Sequence, residues 1–312
     1  MAVKLGVTVA NQTRFENALG EPVKLVRQYC QGQIPPAGPW ANVTSLSGLG
    51  YEVCVSFNLG LKDWTLIANG SDDALWIAIG NYLNGLPTPG IFCWHHEPEY
   101  QGRSYVGFAA ALEHVNNIIK PRAPAWKSSL ILMDYSFQLW RQNGSRNPNN
   151  YWPASGVDMV GIDFYDNRGV KDGSAGPSYA TTGSAHYAAS NMHYPMDWAE
   201  TKGVPTFVAE IGSAIEDPLI VPNGWTSQRD WWQSWADAWR DDARLYGVMH
   251  FEHDRSDSTF PNRAISGGHD PMHPETMAAY RDMSIPSVVV PPPSGYVPGS
   301  IPVSVRARMT GA

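Results

Sequence analysis

The stretch GIFCWHHEPE at residues 90–99 passes from an apolar run straight into imidazole and carboxylate side chains. An apolar run of this length, bounded by Gly and Pro, is typical of a strand buried on both faces of a parallel sheet. The stretch PTFVAEIGS at residues 205–213 has the same form, and its apolar run also meets a glutamate. In a parallel α/β barrel the reactive side chains lie where the strands end, so these two stretches indicate a fold and a site together.

Six further apolar runs complete a set of eight, each followed by a polar or helical stretch. The predicted strands cover residues 5–9, 25–30, 51–57, 90–95, 129–136, 157–165, 205–209 and 247–251. Helical spacing and end signals predict helices over 104–119, 227–245 and 274–283. Strands that alternate with helices favour a parallel sheet, and eight such units predict an α/β fold of the (β/α)8 TIM barrel type.

The C-terminal segment has a different composition from the rest of the chain. Residues 286–312 are rich in proline and include the run SVVVPPP at 287–293. Prolines lack an amide donor and stiffen the chain, so we predict one barrel over 1–285 and a Pro-rich extended arm over 286–312. The arm suits docking on a larger assembly such as a virion tail. No signal-peptide pattern precedes the first predicted strand, which is compatible with a virion-borne protein that meets extracellular glycan.

Composition narrows the range of partners. Charged residues make up 16% of the chain and hydrophobic residues 43%, which excludes an intrinsically disordered protein. A net charge of −7 repels phosphate backbones, and no apolar stretch reaches the roughly 20 residues that span a bilayer, so neither nucleic-acid binding nor membrane insertion is expected. The same charge favours a neutral partner, and the 13 tryptophans suit both packing in a core and stacking on sugar faces. Cys30, Cys54 and Cys93 each lie in an apolar run and are expected to be buried free thiols.

Glu97 and Glu210 lie at the ends of the two decisive stretches, beside apolar residues and with no adjacent Lys or Arg. Such a carboxyl group is costly to charge, so it keeps its proton or is held ionised by hydrogen bonds. Two glutamates that face each other suit glycosidic cleavage without a cofactor, because one protonates the leaving oxygen and the other attacks the anomeric carbon. We expect their carboxyl groups to lie about 5 to 5.5 Å apart, as in retaining enzymes. Each glutamate alone could also be structural, and Glu99 competes with Glu97 for the acid role.

Three segments resemble the retaining glycoside hydrolases of clan A, and most closely glycoside hydrolase family 26, the family of β-mannanases. The pair His96-Glu97 is similar to the histidine and acid/base glutamate of that family, and Glu210 followed by Ile-Gly is similar to its nucleophile motif. The strand at 157–166 is similar to the family's sixth strand, whose tyrosine hydrogen-bonds the nucleophile. The resemblance implies that Glu97 is the acid/base, Glu210 the nucleophile, and His96 and Tyr165 supporting residues.

Aromatic residues near the strand ends are the candidate sugar contacts. Trp94, Trp64 and Trp152 lie near strand ends or in the loops that follow, where sugar stacking and loop packing are equally compatible with the sequence. The family often has a tryptophan after strand eight, and here His250 or Phe251 takes its place. The resemblance implies a polysaccharide or oligosaccharide substrate, either β-mannan-like or a bacterial envelope glycan.

Two other classes of protein stay open at this point. An adhesin or minor tail protein could bind cell-surface glycan through the same barrel with or without turnover, because a fold alone does not fix an activity. A metal-dependent hydrolase could use His95, His96, His250 and the Glu-His-Asp run at 252–254 as ligands. Barrel metallohydrolases usually carry a His-x-His pair at the end of strand one, and residues 8–11 read TVAN instead.

Overall fold

The computed structural model describes residues 3–8, 12–32, 34–58, 63–99, 104–137, 146–166, 192–213, 228–251 and 274–284. Eight parallel strands in sequence order close into a barrel, which confirms the predicted (β/α)8 architecture. The strands are β1 (Lys4–Thr8), β2 (Leu25–Gln31), β3 (Glu52–Asn58), β4 (Ile91–Trp94), β5 (Lys127–Met133), β6 (Met159–Asp166), β7 (Thr206–Ser213) and β8 (Leu245–His250).

Helices in the described ranges surround the barrel. They are α1 (Gln12–Leu19), α2 (Pro39–Gly48), α3 (Trp64–Ala68), α4 (Asp73–Asn84), α5 (Phe108–Ile119), α6 (His193–Thr201), α7 (Gln228–Trp239) and α8 (Pro274–Arg281). The helix predicted from residue 104 begins at Phe108, because Gly107 before it has a left-handed backbone with φ of 86°. The helix predicted to run to 245 ends at Trp239, since β8 already begins at Leu245. None of these helices combines the length and apolar character needed to cross a membrane.

The barrel interior is a compact apolar layer. Its buried members are Leu25, Cys54, Ile91, Cys93, Ile131, Met159, Phe207, Ala209 and Met249. Gly161 makes room for this layer, because a Cβ atom there would lie 2.5 Å from Ile131 Cγ1 and 2.8 Å from Phe207 Cζ. All three cysteines are buried free thiols, as the sequence predicts.

A second and larger core lies between the strands and the helices. Its tryptophans include Trp76 from α4 and Trp235 from α7, both without exposed surface. Tryptophans stand at i, i+4 and i+8 in α7, a spacing typical of a helix face that packs on a core, and Trp235 and Trp239 are both buried. The side chain of Trp231 lies outside the described residues.

The amino-terminal mouth of the barrel is closed by a polar cluster. Lys4 Nζ lies 2.5 Å from Glu52 Oε2, Lys127 Nζ lies 2.9 Å from Tyr246 Oη, and the Tyr246 hydroxyl donates to Glu52. Lys4, Glu52 and Lys127 are the first residues of β1, β3 and β5, and Tyr246 is the second residue of β8. The described structure therefore points to the carboxyl mouth as the place for a site, as in other barrels of this type. The arm at 286–312 lies outside the described residues, and the boundary near 285 stays a prediction.

Candidate active site

An irregularity in β7 turns Glu210 toward the barrel interior. Ile162 of β6 pairs with Val208, but the next residue, Asp163, pairs with Glu210, so β7 carries one extra residue, Ala209. Side chains alternate between the two faces of a strand, and Phe207 and Ala209 both face the interior. In a regular strand Glu210 would point outward. The extra residue changes the phase, which is the usual effect of a β-bulge near a functional site.

The end of β4 departs from regular strand geometry in a similar way. His95 and Glu97 have positive φ angles of 61° and 49°, which are uncommon for residues other than glycine. The chain still pairs on both sides, since the His95 amide donates to Phe57 O at 2.8 Å and the Glu97 amide donates to Ile131 O at 3.0 Å. Backbone strain of this kind concentrates at functional sites. In this protein the two residues with positive φ follow the end of β4, and one of them is Glu97 itself.

Arg27 of β2 ties β6 and β7 together. Its buried Nη1 donates to Asp163 Oδ1 at 2.9 Å and lies 3.1 Å from Glu210 Oε1, and its Nε donates to Ser56 Oγ at 3.2 Å. Neither the Arg27 nor the Asp163 side chain has exposed surface, and that of Glu210 is 9% exposed. A guanidinium can be buried in this way only when carboxylates compensate its charge. The arrangement therefore stabilises the charged form of Glu210.

Tyr29, two residues further along β2, is the second partner of Glu210. Its hydroxyl donates to Glu210 Oε1, and Arg27 Cζ lies 4.8 Å from the centroid of its ring. The His96 ring makes an edge contact with the Tyr29 ring, with 5.6 Å between centroids. Burial raises the pKa of Tyr29 well above its usual value, so the hydroxyl remains a donor at physiological pH. His96 therefore lies next to a contact residue of Glu210, and its supporting role stays a prediction.

Burial is the main cause of the pKa shifts of Glu97, Asp163 and His96. Burial, together with repulsion from Glu210, raises the pKa of Glu97 to about 7, although Arg27 opposes the change. Burial also raises the pKa of Asp163 to about 8. Burial, with the positive charge of Arg27 and the neighbouring His95, lowers the pKa of His96 to about 3. Around neutral pH the site therefore combines a Glu97 that can carry a proton with a neutral His96.

Glu99 has a different environment from Glu97. Its Oε1 accepts hydrogen bonds from the Met133 amide at 2.6 Å and from Ser136 Oγ at 3.1 Å, and the residue is only 8% exposed. Burial raises its pKa to about 8. These contacts anchor the β4 loop to the end of β5. Glu97 is less buried than Glu99, and unlike Glu99 it has Glu210 among the causes of its pKa shift.

The structure places two of the predicted sugar contacts in the barrel wall. Trp94 is 1% exposed and stacks on Phe108, with 5.5 Å between ring centroids. Trp64 is 5% exposed, and its Nε1 donates to Ser104 O at 2.7 Å. The two tryptophans also contact each other edge to face. Their rings fill the space between β4, α3 and α5, so the expectation that they stack on sugar is corrected to a packing role.

His250 is likewise a packing residue. It has no exposed surface, and its ring stacks on Phe15 and lies 5.3 Å from the ring of Trp232. The side chain of this last residue of β8 therefore lies among the helices, outside the barrel interior. Phe251, the next residue, is partly exposed, and its amide donates to Ile211 O at 2.8 Å. Of the two residues predicted to contact sugar here, Phe251 is the one that is partly exposed at the carboxyl mouth and could contact a ligand.

Trp152 and Tyr165 complete the predicted set. Trp152 is partly buried, makes an edge contact with Trp198 of α6 at 5.3 Å and lies beside Lys202. The structure does not bring it to the two glutamates through any described contact. The backbone of Tyr165 pairs with Gly212 on β7, and its side chain lies outside the described residues. Its proposed bond to the nucleophile stays a prediction.

His95 and His250, two of the residues considered for a metal, lie in different side-chain clusters. His95 packs edge to face against Trp64, 4.9 Å between ring centroids, whereas His250 lies in the separate cluster around Phe15. Within the described ranges there is no group of three or more His, Cys, Asp or Glu residues placed to hold an ion. The run at 252–254 lies outside those ranges.

Sequence reasoning missed the contribution of β2. Arg27 contacts both Asp163 and Glu210, Tyr29 donates to Glu210, and Ser56 of β3 accepts a hydrogen bond from Arg27. A signal was present in LVRQYC at 25–30, where Arg27 and Tyr29, at i and i+2, share one face of the strand with Leu25. In a barrel strand such a face lines the interior.

Solved structures with the same architecture include several glycoside hydrolases. A fungal β-1,4-galactanase matches over 90% of this chain and 100% of its own, with a TM-score of 0.62 and 14% identity. The catalytic domain of the Bacillus sp. JAMB-750 GH26 endo-β-1,4-mannanase matches over 90% and 85%, with a TM-score of 0.58 and 13% identity. XacCel5A matches over 91% and 99%, with a TM-score of 0.63 and 12% identity. The chain shares their fold. No family model matches the sequence, and no curated protein is significantly similar to it.

Proposed function

We propose that the protein is a retaining glycoside hydrolase in which Glu97 is the acid/base and Glu210 the nucleophile. The observation that carries the proposal is the pair of strand-end glutamates in opposite environments. The pKa of Glu97 is raised to about 7, mainly by burial and also by the charge of Glu210. Glu210 itself forms an ion pair with Arg27 and accepts a hydrogen bond from Tyr29. Two titratable groups whose surroundings favour opposite protonation states are the usual sign of an acid and a nucleophile.

The first step follows from these environments. Glu97 gives its proton to the glycosidic oxygen while a carboxylate oxygen of Glu210 forms a bond to the anomeric carbon, and the bond to the leaving sugar breaks. Arg27, 3.1 Å from Glu210 Oε1, keeps the carboxylate ionised before attack. Glu97 is then ionised and takes a proton from water, whose oxygen attacks the anomeric carbon and releases Glu210.

The substrate we propose is a polysaccharide with β-linked sugars, either β-mannan-like or a bacterial envelope glycan. The solved structures with this fold include enzymes named for β-1,4-galactan and β-1,4-mannan, which supports a β-linked chain as the first class to test. Phe251 is the aromatic residue that we propose as a sugar platform, because it is partly exposed beside the end of β7. Docking of the 286–312 arm on a virion tail is a separate proposal about location.

The test measures hydrolysis of mannans, galactans, glucans, xylans and bacterial envelope glycans, with single variants of the two glutamates. On an activated aryl glycoside, Glu97→Ala should still form the covalent intermediate, and azide should rescue it with retained configuration. Glu210→Ala should form no intermediate, and azide should give the inverted glycosyl azide. Glu52→Gln is the matched control, since Glu52 is a partly buried barrel carboxylate at the opposite mouth.

The outcomes separate the classes of protein. Binding of a glycan with no turnover on any substrate would favour an adhesin that keeps the barrel. Equal behaviour of the two alanine variants would contradict the assigned roles, and so would a Glu99→Ala variant that reproduces the Glu97→Ala pattern. Activity that is lost with chelator and restored by a metal ion would favour the metal-dependent hydrolase.

A further inference from the structure

Tyr29 is a contact of Glu210 that the two-glutamate reaction does not by itself require. It is partly buried on β2, and its hydroxyl donates to the same oxygen, Glu210 Oε1, that Arg27 Nη1 approaches to 3.1 Å. Its ring is held between the Arg27 guanidinium, 4.8 Å from the centroid, and the edge of the His96 ring. The ring of the tyrosine thus has two neighbours while its hydroxyl donates to the carboxylate.

We propose that Tyr29 is the positioning residue of Glu210 and that its hydroxyl acts mainly when the carboxylate leaves the sugar. The inference rests on the proposed function, and it adds a β2 residue to the strand-end pair. Glu210 Oε1 interacts with both Tyr29 and Arg27, so it is the less nucleophilic of the two carboxylate oxygens. We therefore assign the attack on the sugar to Oε2, while Oε1 keeps the carboxylate in position.

The reason lies in how the charge of Glu210 changes during the cycle. In the first step the Oε2–C1 bond forms, the C1–O bond to the leaving sugar breaks, and the proton of Glu97 goes to that sugar. Glu210 becomes a neutral ester, so the bond from Tyr29 weakens, because donors bind charged acceptors more strongly than neutral ones. In the second step water oxygen bonds to C1, its proton returns to Glu97, and the electron pair of the C1–Oε2 bond returns to Glu210. The bond from Tyr29 then strengthens in the transition state, which accelerates this step.

Removal of the hydroxyl should therefore slow release of the sugar more than attack on it. For Tyr29→Phe on an activated aryl glycoside, we expect kcat to fall by roughly 10-fold or more and KM to fall with it, since the intermediate accumulates. A burst of aryl alcohol equal to the enzyme concentration and a glycosyl adduct in the intact mass should accompany the change. A merely structural role would lower kcat without either signature.

The pH profile gives a second readout. Glu210 faces Arg27, Tyr29, Asp163 and Glu97, and loss of one donor disfavours its charged form. We expect the acid limb of kcat/KM in Tyr29→Phe to move up by about one pH unit. Tyr29→Met, whose flexible side chain fills space without a donor, should show the same two changes, and it keeps the test available if Tyr29→Phe does not fold.

Tyr246→Phe is the matched control. The Tyr246 hydroxyl also donates to a barrel glutamate beside cations, but at the amino-terminal mouth. The Tyr246→Phe variant should have the same burst behaviour, KM and pH profile as the wild type. If the wild type is active and neither Tyr29 variant shows a burst or a lower KM, the positioning role is overturned while the glycosidase function stands. If the wild type turns over no glycoside at all, both proposals fail together.

Discussion

Arg27→Met is the substitution that most directly perturbs the centre of the site. The buried guanidinium lies 2.9 Å from Asp163 and 3.1 Å from Glu210, so its removal leaves two buried carboxyl groups without their shared cation. Breaking a buried ion pair by removing one partner typically costs about 3–5 kcal/mol. Asp163 relieves part of this cost by keeping its proton, since burial already raises its pKa to about 8. We therefore expect a loss near the lower end, about 3 kcal/mol.

The assay is thermal unfolding of the full chain at pH 7, followed by tryptophan fluorescence. A loss of about 3 kcal/mol should lower the Tm by roughly 5 to 10 °C in a protein of this size. Lys127→Met is the control, because Lys127 lies 3.3 Å from Glu52 with a side chain that is 42% exposed, and such pairs contribute less than about 1 kcal/mol.

Asp163→Asn in the Arg27→Met background completes the test. It removes one of the two uncompensated carboxyl groups, so part of the lost stability should return. Glycosidase activity should stay absent, because Glu210 still lacks its cation. The reasoning is refuted if Arg27→Met melts within about 2 °C of the wild type, or if the double variant is less stable than the single one.

Three further predictions concern pH, the β4 loop and the arm. Because Glu97 must be protonated and its pKa is about 7, kcat/KM should fall as pH rises through about 7, and Glu97→Ala should lose that limb on an activated aryl glycoside; a limb that persists would contradict the acid role. Glu99 is held neutral by burial, with a pKa of about 8 against 4.5 when unfolded, so its contribution to stability is complete below about pH 4.5 and lost as pH rises through about 8. The stability of Glu99→Gln relative to the wild type should therefore increase between pH 5 and pH 9, by up to about 4 kcal/mol in the free energy of unfolding, and thermal unfolding should show it as a rising difference in Tm. A difference in Tm that does not change with pH would argue against a buried neutral carboxyl group. A chain that ends before residue 286 should keep its fold and its activity on a soluble glycan, and loss of either would place the arm in the core.

The hydrophobic periodicity of the sequence and the residues that end its helices and strands were sufficient to predict the fold. All eight strands were predicted near their observed positions, because apolar runs buried on both faces are the strongest pattern that a parallel barrel leaves in a sequence. The two candidate glutamates were chosen in the same way, from the polar residues that close the runs. Helix ends were less exact, since Gly107 and the early start of β8 decide them locally.

The apolar runs alone do not predict which face of the barrel a side chain occupies or how deeply it is buried. The bulge at Ala209 that turns Glu210 inward has no signature in the sequence, because it depends on pairing with β6 and β8. Trp94 and His250 also come at strand ends, yet alternation sends their rings outward beneath the helices, where they pack. Arg27 was missed because its role needs β6 and β7 as neighbours in space.

The stereochemistry of the first product tests the central claim most directly. Hydrolysis of the best substrate from the glycan panel, followed by ¹H NMR before mutarotation, reports the configuration of the newly released anomeric carbon. Double displacement through Glu210 predicts that the β-anomer appears first, with the configuration of the bond that was cleaved. Initial release of the α-anomer would show inversion, and it would contradict the covalent role of Glu210 and the retaining spacing expected between the two glutamates.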